Sequence, residues 1–252
     1  MQTFVVVAAM AASAISTTTA SAVEIKVLHG GAFTQVLRAV VPEFEKQTGH
    51  KVILVRDTVG ALVKKIEAGE TFDAAVLVPG AVDDLIKKGK IAAGSRTDLA
   101  RVPIGVVVKE GMPQPDISSV EAFKKTLIAA KSVAYIDPQA GGSSGIYLGG
   151  LFERLGLADV IRSKAVLIHG GAVAEHIAKG EAEIGIHQIS EILPVKGIVL
   201  VGPLLKEIQN YTTYSAGIGA NAKQSEAARA LIKALSGAND VFKSKGMEPA
   251  GS

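Results

Sequence analysis

The sequence predicts an α/β fold of two lobes with a cleft between them. From Val23 onward, short apolar strand-like segments alternate with amphipathic helical segments, a pattern typical of α/β architecture. Two such series of similar length follow one another, and no long linker rich in Gly, Pro or Ser separates them. We therefore expect two lobes joined by crossing strands, with residues 23–102 and 216–252 in the first lobe and residues 103–215 in the second.

The first series contains three strands, each followed by a helix. The helix predicted at 33–47 shows the pattern clearly, because its apolar residues recur at helical spacing and a Thr-Gly pair ends it. Its expected buried face consists of Val36, Leu37, Val40, Val41 and Phe44. The elements of this series are strands at 24–28, 51–56 and 73–78, and helices at 33–47, 61–68 and 82–88.

The second series begins and ends with strands that we expect to cross between the lobes. A long strand at 102–109 is the first crossing, and a strand at 210–219 is the second. The tail after it is expected to return to the first lobe. Between the crossings we expect strands at 132–136, 165–168, 182–187 and 197–201 and helices at 120–129, 143–155 and 172–179; the tail carries helices at 225–235 and 240–245.

The first 22 residues have the pattern of a signal peptide. They contain no charged side chain, and the apolar stretch at 4–15 is too short to span a bilayer comfortably. Ala20-Ser21-Ala22 forms an A-x-A cleavage site, although no Lys or Arg precedes the apolar stretch. We therefore expect residues 1–22 to be removed and the mature protein to lie in the periplasm.

Composition excludes several classes of function. The formal net charge is +3, and Lys and Arg are scattered singly or in pairs, which gives nucleic-acid binding little support. The chain has no Cys, so it has neither disulfides nor thiolate metal sites. The five His are scattered without metal-ligand spacing, and neither a phosphate-binding P-loop nor a G-x-S-x-G motif is present. We expect no metal and no cofactor.

Four predicted strands end in a loop rich in Gly, Ser or Thr that opens a helix. The loops lie at 29–31, 58–60, 141–145 and 169–171. Such a loop presents free backbone N–H groups at a helix N-terminus, where an anion is favoured. In open α/β sheets the carboxyl ends of strands also form the ligand crevice. Ordinary helix capping explains any one of these loops, but four together indicate a site for a small anion.

Two arginines fall where they are expected to face the cleft or the hinge. Arg56 ends a predicted strand and Arg101 precedes the first crossing. A planar guanidinium suits a carboxylate ligand, because it can donate two parallel hydrogen bonds. A surface or interlobe ion pair remains the alternative for each of them.

Four segments carry a resemblance to a known family. They are 44–49 (Phe-Glu-Lys-Gln-Thr-Gly), 72–77, 180–186 and 214–218. Because of the order and spacing of these four segments, the chain resembles the molybdate-binding-protein-like branch of periplasmic solute-binding proteins of ABC transporters. The resemblance implies a type 2 periplasmic-binding-protein fold that closes on its ligand by hinge bending. It also implies the membrane subunits of an ABC transporter as partners, and we expect a monomer.

The same resemblance implies a set of ligand-binding positions in the first lobe. Gly30 and Gly31 stand where molybdate binders usually have two serines. Thr58 stands where they have the serine of a G-A-S-G run. Hydroxyl ligands are therefore lost or changed in this lobe.

In the second lobe the implied ligand-binding residues are Ser143, Ser144, Ala172 and Gln188. The two serines open a helix, Ala172 or Val173 offers a backbone N–H, and Gln188 replaces a common ligand-binding tyrosine. Together with the changes in the first lobe, these departures favour an organic di- or tricarboxylate over molybdate or tungstate.

An enzyme is the alternative function. The same branch includes aconitate isomerases, which move a proton and a double bond in a tricarboxylate. Such a reaction needs an acid or base beside the ligand. His29, His187 and Glu191 are the candidates, with packing or structural hydrogen bonding as the other reading for each.

Overall fold

Two β-sheets, one in each lobe, organise the protein. The structure is a computed structural model that describes residues 21–251. Residues 1–20 of the expected signal peptide lie outside this range. In the described part of the chain, no helix is both long enough and apolar enough to cross a membrane.

The chain forms most of the first lobe, then the second lobe, and finally returns to the first lobe. The first lobe begins with β1 (Glu24–Gly30), α1 (Thr34–Thr48), β2 (Lys51–Asp57), α2 (Val59–Glu67), β3 (Ala74–Leu77), α3 (Pro79–Lys87) and β4 (Thr97–Val102). The second contains β5 (Ile104–Lys109), α4 (Val120–Ala129), β6 (Val133–Ile136), α5 (Ser143–Arg154), α6 (Ala158–Arg162), β7 (Ala165–Ile168), α7 (Val173–Lys179), β8 (Ile184–Gln188), α8 (Ile189–Ile192) and β9 (Ile198–Pro203). The tail contains β10 (Thr212–Ile218), α9 (Ser225–Ser236), α10 (Asn239–Ser244) and β11 (Glu248–Pro249).

The sheet topology brings the ends of the parallel strands to the cleft. The first sheet has the order β11-β4-β10-β3-β1-β2, and the second has the order β7-β6-β8-β5-β9. Strand β1 is parallel to β2 and β3, and β6 is parallel to β7 and β8. The carboxyl ends of β1, β2, β6 and β8 therefore present their loops to the space between the lobes, as expected for open α/β sheets.

Apolar patterning explains these elements. Strands β3 and β6 are buried at every residue, which is why they read as continuous apolar runs rather than alternating ones. On α1 the predicted face is confirmed for Val36, Leu37, Val41 and Phe44, which are buried, whereas Val40 is only half-buried. One apolar core fills the first lobe, and two cores cover the faces of the second sheet.

The two crossings differ from the sequence-based expectation. The strand predicted at 102–109 is two strands, because Pro103 lacks the N–H needed to continue a ladder, and the chain changes sheet there. Strand β10 pairs with β3 and β4 from Thr212 to Ile218. The chain is therefore back in the first sheet by Thr212, and the expected boundary at 215/216 divides a strand. Strands β4 and β11 and helices α6 and α8 were not predicted.

Asp73 ties the returning tail to the first sheet. Its Oδ2 accepts a hydrogen bond from the Lys26 N–H at 2.9 Å, and its Oδ1 accepts one from the Gln224 N–H at 2.9 Å. Asp73 itself is buried. One carboxylate thus satisfies two backbone donors that lie far apart in the sequence.

We expect Asp73→Ala to lower the free energy of unfolding by about 2–4 kcal/mol, because both N–H groups lose a charged acceptor. Asp84→Ala is the matched control, since Asp84 is exposed and its salt bridge is with Lys87 on its own helix. Its effect should stay within about 0.5 kcal/mol. Urea titration measures both, and equal effects of the two substitutions would contradict this role of Asp73.

Candidate functional site

A cleft of about 140 Å³ lies between the lobes at the carboxyl ends of the parallel strands. Both lobes contribute loops, helix starts and charged side chains to it. It is lined by Gly31, Arg56, Asp57, Thr58, Val59, Ile136, Gly142, Ser143, Ser144, Gly170, Gly171, His187, Gln188, Glu191 and Tyr214.

The start of α5 supplies hydrogen-bond donors from the second lobe. Its N-cap is Gly142, which has no side chain to cap the first turn. The first intrahelical bond runs from the Ile146 N–H to the Gly142 carbonyl, so the preceding N–H groups of this turn have no partner within the helix. Ser143 and Ser144 line the cleft at the same place. This is the arrangement expected from the sequence, and it favours an anion.

A buried hydrogen-bond chain crosses the cleft from one lobe to the other. The Tyr214 hydroxyl donates to Gln188 Oε1 at 3.3 Å, and Gln188 Nε2 donates to Ser143 Oγ at 3.2 Å. Burial, together with the nearby charge of Glu191, raises the pKa of Tyr214, so its hydroxyl stays protonated and can donate. Gln188 is therefore hydrogen-bonded to a tyrosine on the crossing strand β10.

Three ionisable side chains form a second chain across the cleft. Arg56 Nη2 lies 2.8 Å from Glu191 Oε1, and His187 Nε2 lies 3.3 Å from Glu191 Oε2. His187 Nδ1 is buried without a hydrogen-bond partner among the described residues. Burial lowers the pKa of His187; Glu191 opposes this shift and Arg56 adds to it. His187 is therefore neutral near pH 7, while the carboxylate of Glu191 is shared between the arginine and the imidazole.

Gly31 makes room for this ion pair. A Cβ atom at this position would lie 2.5 Å from Glu191 Oε1 and 3.1 Å from Arg56 Nη2. Any larger residue would push the carboxylate and the guanidinium apart. The glycine directly after β1 thus leaves the space that the ion pair occupies.

Direct hydrogen bonds hold the lobes closed. Thr58 Oγ1 donates to the Ala140 carbonyl at 2.6 Å, and the Gly60 N–H donates to the Gly141 carbonyl at 3.1 Å. Thr58 Oγ1 also accepts from the Ala61 N–H, as an N-cap does. Thr58 lines the cleft as expected, and in this closed form its hydroxyl proton is directed to the other lobe.

Four expected site residues lie outside the cleft lining. His29 is buried, its Nδ1 lies 3.1 Å from the Gly30 carbonyl, and burial lowers its pKa to about 4. Gly30 packs under Tyr214. Ala172 lines a neighbouring groove of about 240 Å³.

Arg101 is the clearest of these corrections. On β4 it pairs with Glu248 at 2.6 Å and lies over the Tyr211 ring, 4.7 Å from the ring centroid. It is directed to these partners because β4 adjoins β11, at the side of the first sheet away from β1 and β2.

Sequence reasoning also missed part of the lining, above all Tyr214. This residue was noticed only as part of a family segment, and nothing local indicates that β10 turns its side chain toward Gln188. Gly142, Gly170 and Gly171 lie in loops that were predicted as anion loops. No cluster of three or more metal-ligating His, Asp or Glu side chains is found within residues 21–251.

Comparisons with known proteins agree with this architecture. The family model of bacterial extracellular solute-binding proteins matches residues 25–248. An aconitate isomerase from a Pseudomonas species is 36% identical over 231 residues, which cover 88% of this chain and 87% of that protein. The molybdate-binding protein ModA of Azotobacter vinelandii is 28% identical over 240 residues, or 90% of each chain.

Solved structures show the same fold. The periplasmic molybdate-binding protein of Azotobacter vinelandii aligns with a TM-score of 0.75 at 20% identity, covering 88% of this chain and 98% of that one. The sulfate-binding protein SubI of Mycobacterium tuberculosis H37Rv aligns with a TM-score of 0.74 at 15% identity, covering 91% and 88%. At these identities the likeness concerns the fold alone.

We expect Gly60→Ala to open the cleft without unfolding the protein. The new Cβ would lie 2.9 Å from Gly141 Cα, while Ala in α2 favours the helix by up to about 1 kcal/mol. Gly80→Ala in α3 is the control, because a Cβ there meets no described atom within 4 Å. Small-angle X-ray scattering should give a larger radius of gyration for Gly60→Ala alone. Equal radii of gyration for both variants and the wild type would contradict the role of the Gly60–Gly141 contact in closure.

Proposed function

This chain belongs to the bacterial extracellular solute-binding protein family, and we propose that it binds an organic di- or tricarboxylate between its lobes. The observation that carries the proposal is the ion pair of Arg56 with Glu191. The guanidinium in the cleft already holds one carboxylate, so its position and orientation suit a carboxylate of a ligand. Arg is the side chain best matched to that planar group.

The remaining lining suits further carboxylates on a longer ligand. The uncapped N–H groups at the start of α5 and the hydroxyl of Ser143 are donors at the opposite wall. A small tetrahedral oxyanion needs donors on all sides, whereas this cleft turns an acidic side chain, Glu191, towards its interior. A polycarboxylate can place its charged groups on Arg56 and on the α5 terminus and avoid that contact.

The proposal extends to location and partners. The charge-free apolar start with its A-x-A site supports export to the periplasm. Relatives named as periplasmic binding proteins support the same location. The protein would act there as a monomer that closes on its ligand and passes it to the membrane subunits of an ABC transporter.

Isomerisation of the bound tricarboxylate is the second candidate function. It is favoured by the buried, neutral His187 beside Glu191 in the cleft, and by the aconitate isomerase that is 36% identical. In this reaction a base takes a proton from a methylene carbon next to a carboxylate. The electrons of that C–H bond form a new double bond as the old one shifts, and the proton is returned to the far carbon. No cofactor is required.

We expect wild-type protein to bind trans-aconitate or citrate more tightly than molybdate in calorimetric titrations. Arg56→Gln should weaken tricarboxylate binding about 10- to 100-fold, because one charge-assisted contact is lost. Arg101→Gln is the matched control, since Arg101 is equally exposed and equally ion-paired but lies outside the cleft. Tight molybdate binding, or equal losses in both variants, would contradict the proposed ligand class.

The isomerase candidate predicts that wild-type protein interconverts cis- and trans-aconitate in deuterated water and incorporates solvent deuterium. His187→Gln should reduce that rate at least about 100-fold, and more than it reduces affinity, because a group that can exchange a proton with the ligand is lost. His176→Gln, on a partly exposed histidine paired with Glu181, should leave the rate unchanged. Proton NMR follows the reaction. Binding of the ligand by wild-type protein without turnover would exclude the isomerase candidate.

A further inference from the structure

We propose that Glu191 competes with the ligand for Arg56, so that a carboxylate ligand enters the cleft together with a proton that His187 receives. Glu191 is then a specificity-determining residue that admits an anion only with this proton. The inference rests on the proposed carboxylate-binding function, and it adds a chemical condition that the function alone does not require.

The geometry makes the three side chains one unit. Both oxygens of the Glu191 carboxylate are engaged, Oε1 by Arg56 at 2.8 Å and Oε2 by His187 at 3.3 Å. The side chains of Glu191 and His187 are 9% and 3% exposed, whereas that of Arg56 is 39% exposed. A ligand therefore reaches Arg56 first, and the buried carboxylate behind it is the group that loses its partner.

Losing Arg56 leaves a buried charge that must be neutralised. An unpaired carboxylate in so enclosed a place is strongly unfavourable. The nearest group that can supply positive charge is His187, which is neutral because it is buried. When the guanidinium turns to the ligand, the repulsion that Arg56 exerts on the imidazolium weakens and the attraction of Glu191 remains. Both changes raise the affinity of His187 for a proton.

The other charged groups near the pair are already balanced. On β2, Asp57 is held by Lys65 at 2.8 Å and accepts the Thr58 N–H. In the neighbouring groove, Arg38 of α1 and Glu175 of α7 carry opposite charges and leave its net charge unchanged.

Two buried titratable side chains of the first lobe stay neutral. Tyr214 of β10 keeps its proton, because burial raises its pKa. His29 of β1 stays unprotonated, because burial lowers its pKa to about 4. His187, which lies beside Glu191, is therefore the group that we expect to take up the proton.

The sign of the pH dependence follows from this linkage. In the free protein burial lowers the pKa of His187. Binding, as proposed, raises it. Between the free and the bound pKa, each ligand takes up about one proton, and affinity falls about tenfold for each unit by which the pH rises. Below the free pKa and above the bound pKa, affinity no longer depends on this group.

The first test needs no ligand. Arg56→Gln imitates an arginine that has been taken by a ligand, and NMR of labelled imidazoles reports the His187 titration. We expect the His187 pKa to rise by at least about one in Arg56→Gln and to fall back in the Arg56→Gln/Glu191→Gln double variant. The control Arg101→Gln, on an ion pair of similar length and equal arginine exposure, should leave it unchanged. An unchanged His187 pKa in Arg56→Gln would overturn the proposal.

The second test counts protons. Calorimetry with trans-aconitate in two buffers of different ionisation enthalpy, near neutral pH, should show uptake of about one proton by wild type and none by Glu191→Gln. Binding without proton uptake in the wild type would overturn the inference and leave the ligand class intact. If trans-aconitate does not bind but Arg56→Gln still raises the His187 pKa, the coupling stands and the proposed ligand is wrong.

Discussion

The ion pair between Arg56 and Glu191 joins the two lobes and fixes the arrangement of the cleft around it. Its members come from β2 and α8, and it forms only because Gly31 leaves the space that a side chain would fill. Glu191 then faces His187, so one carboxylate links closure of the lobes to the charge state of a buried imidazole. In a site this enclosed, moving one charge changes the protonation of its neighbours.

Closure also depends on contacts that involve no charge. The backbones of Gly60 and Gly141 meet directly, and Ser190 Oγ donates to the Ala32 carbonyl at 2.9 Å on another side of the cleft. These few bonds favour the closed form only modestly, because each replaces a bond to water. A ligand that contacts both lobes can therefore shift the equilibrium between open and closed forms by its own differential affinity.

The fold is shared with proteins named for molybdate and sulfate. A common framework brings helix starts to one place, and single residues then decide what is bound. In this chain the acidic side chain of Glu191 lines the cleft beside donors such as Ser143. The proposal of an organic polycarboxylate as the ligand rests on this lining.

Local patterns in the sequence determined the α/β class and the face of α1 that is buried. They also determined the loops that place Ser143, Ser144 and Gly31 at the cleft. Strand and helix periodicities and glycine-rich helix starts are short-range features, so the sequence alone shows them. The tertiary structure decided which distant residues meet. Arg56 and Glu191 lie 135 positions apart. The position of Tyr214 depends on how β10 inserts between β3 and β4, and Arg101 faces away because β11 adds beside β4. Pairing of distant strands depends on the packing of whole lobes, and no local pattern encodes it.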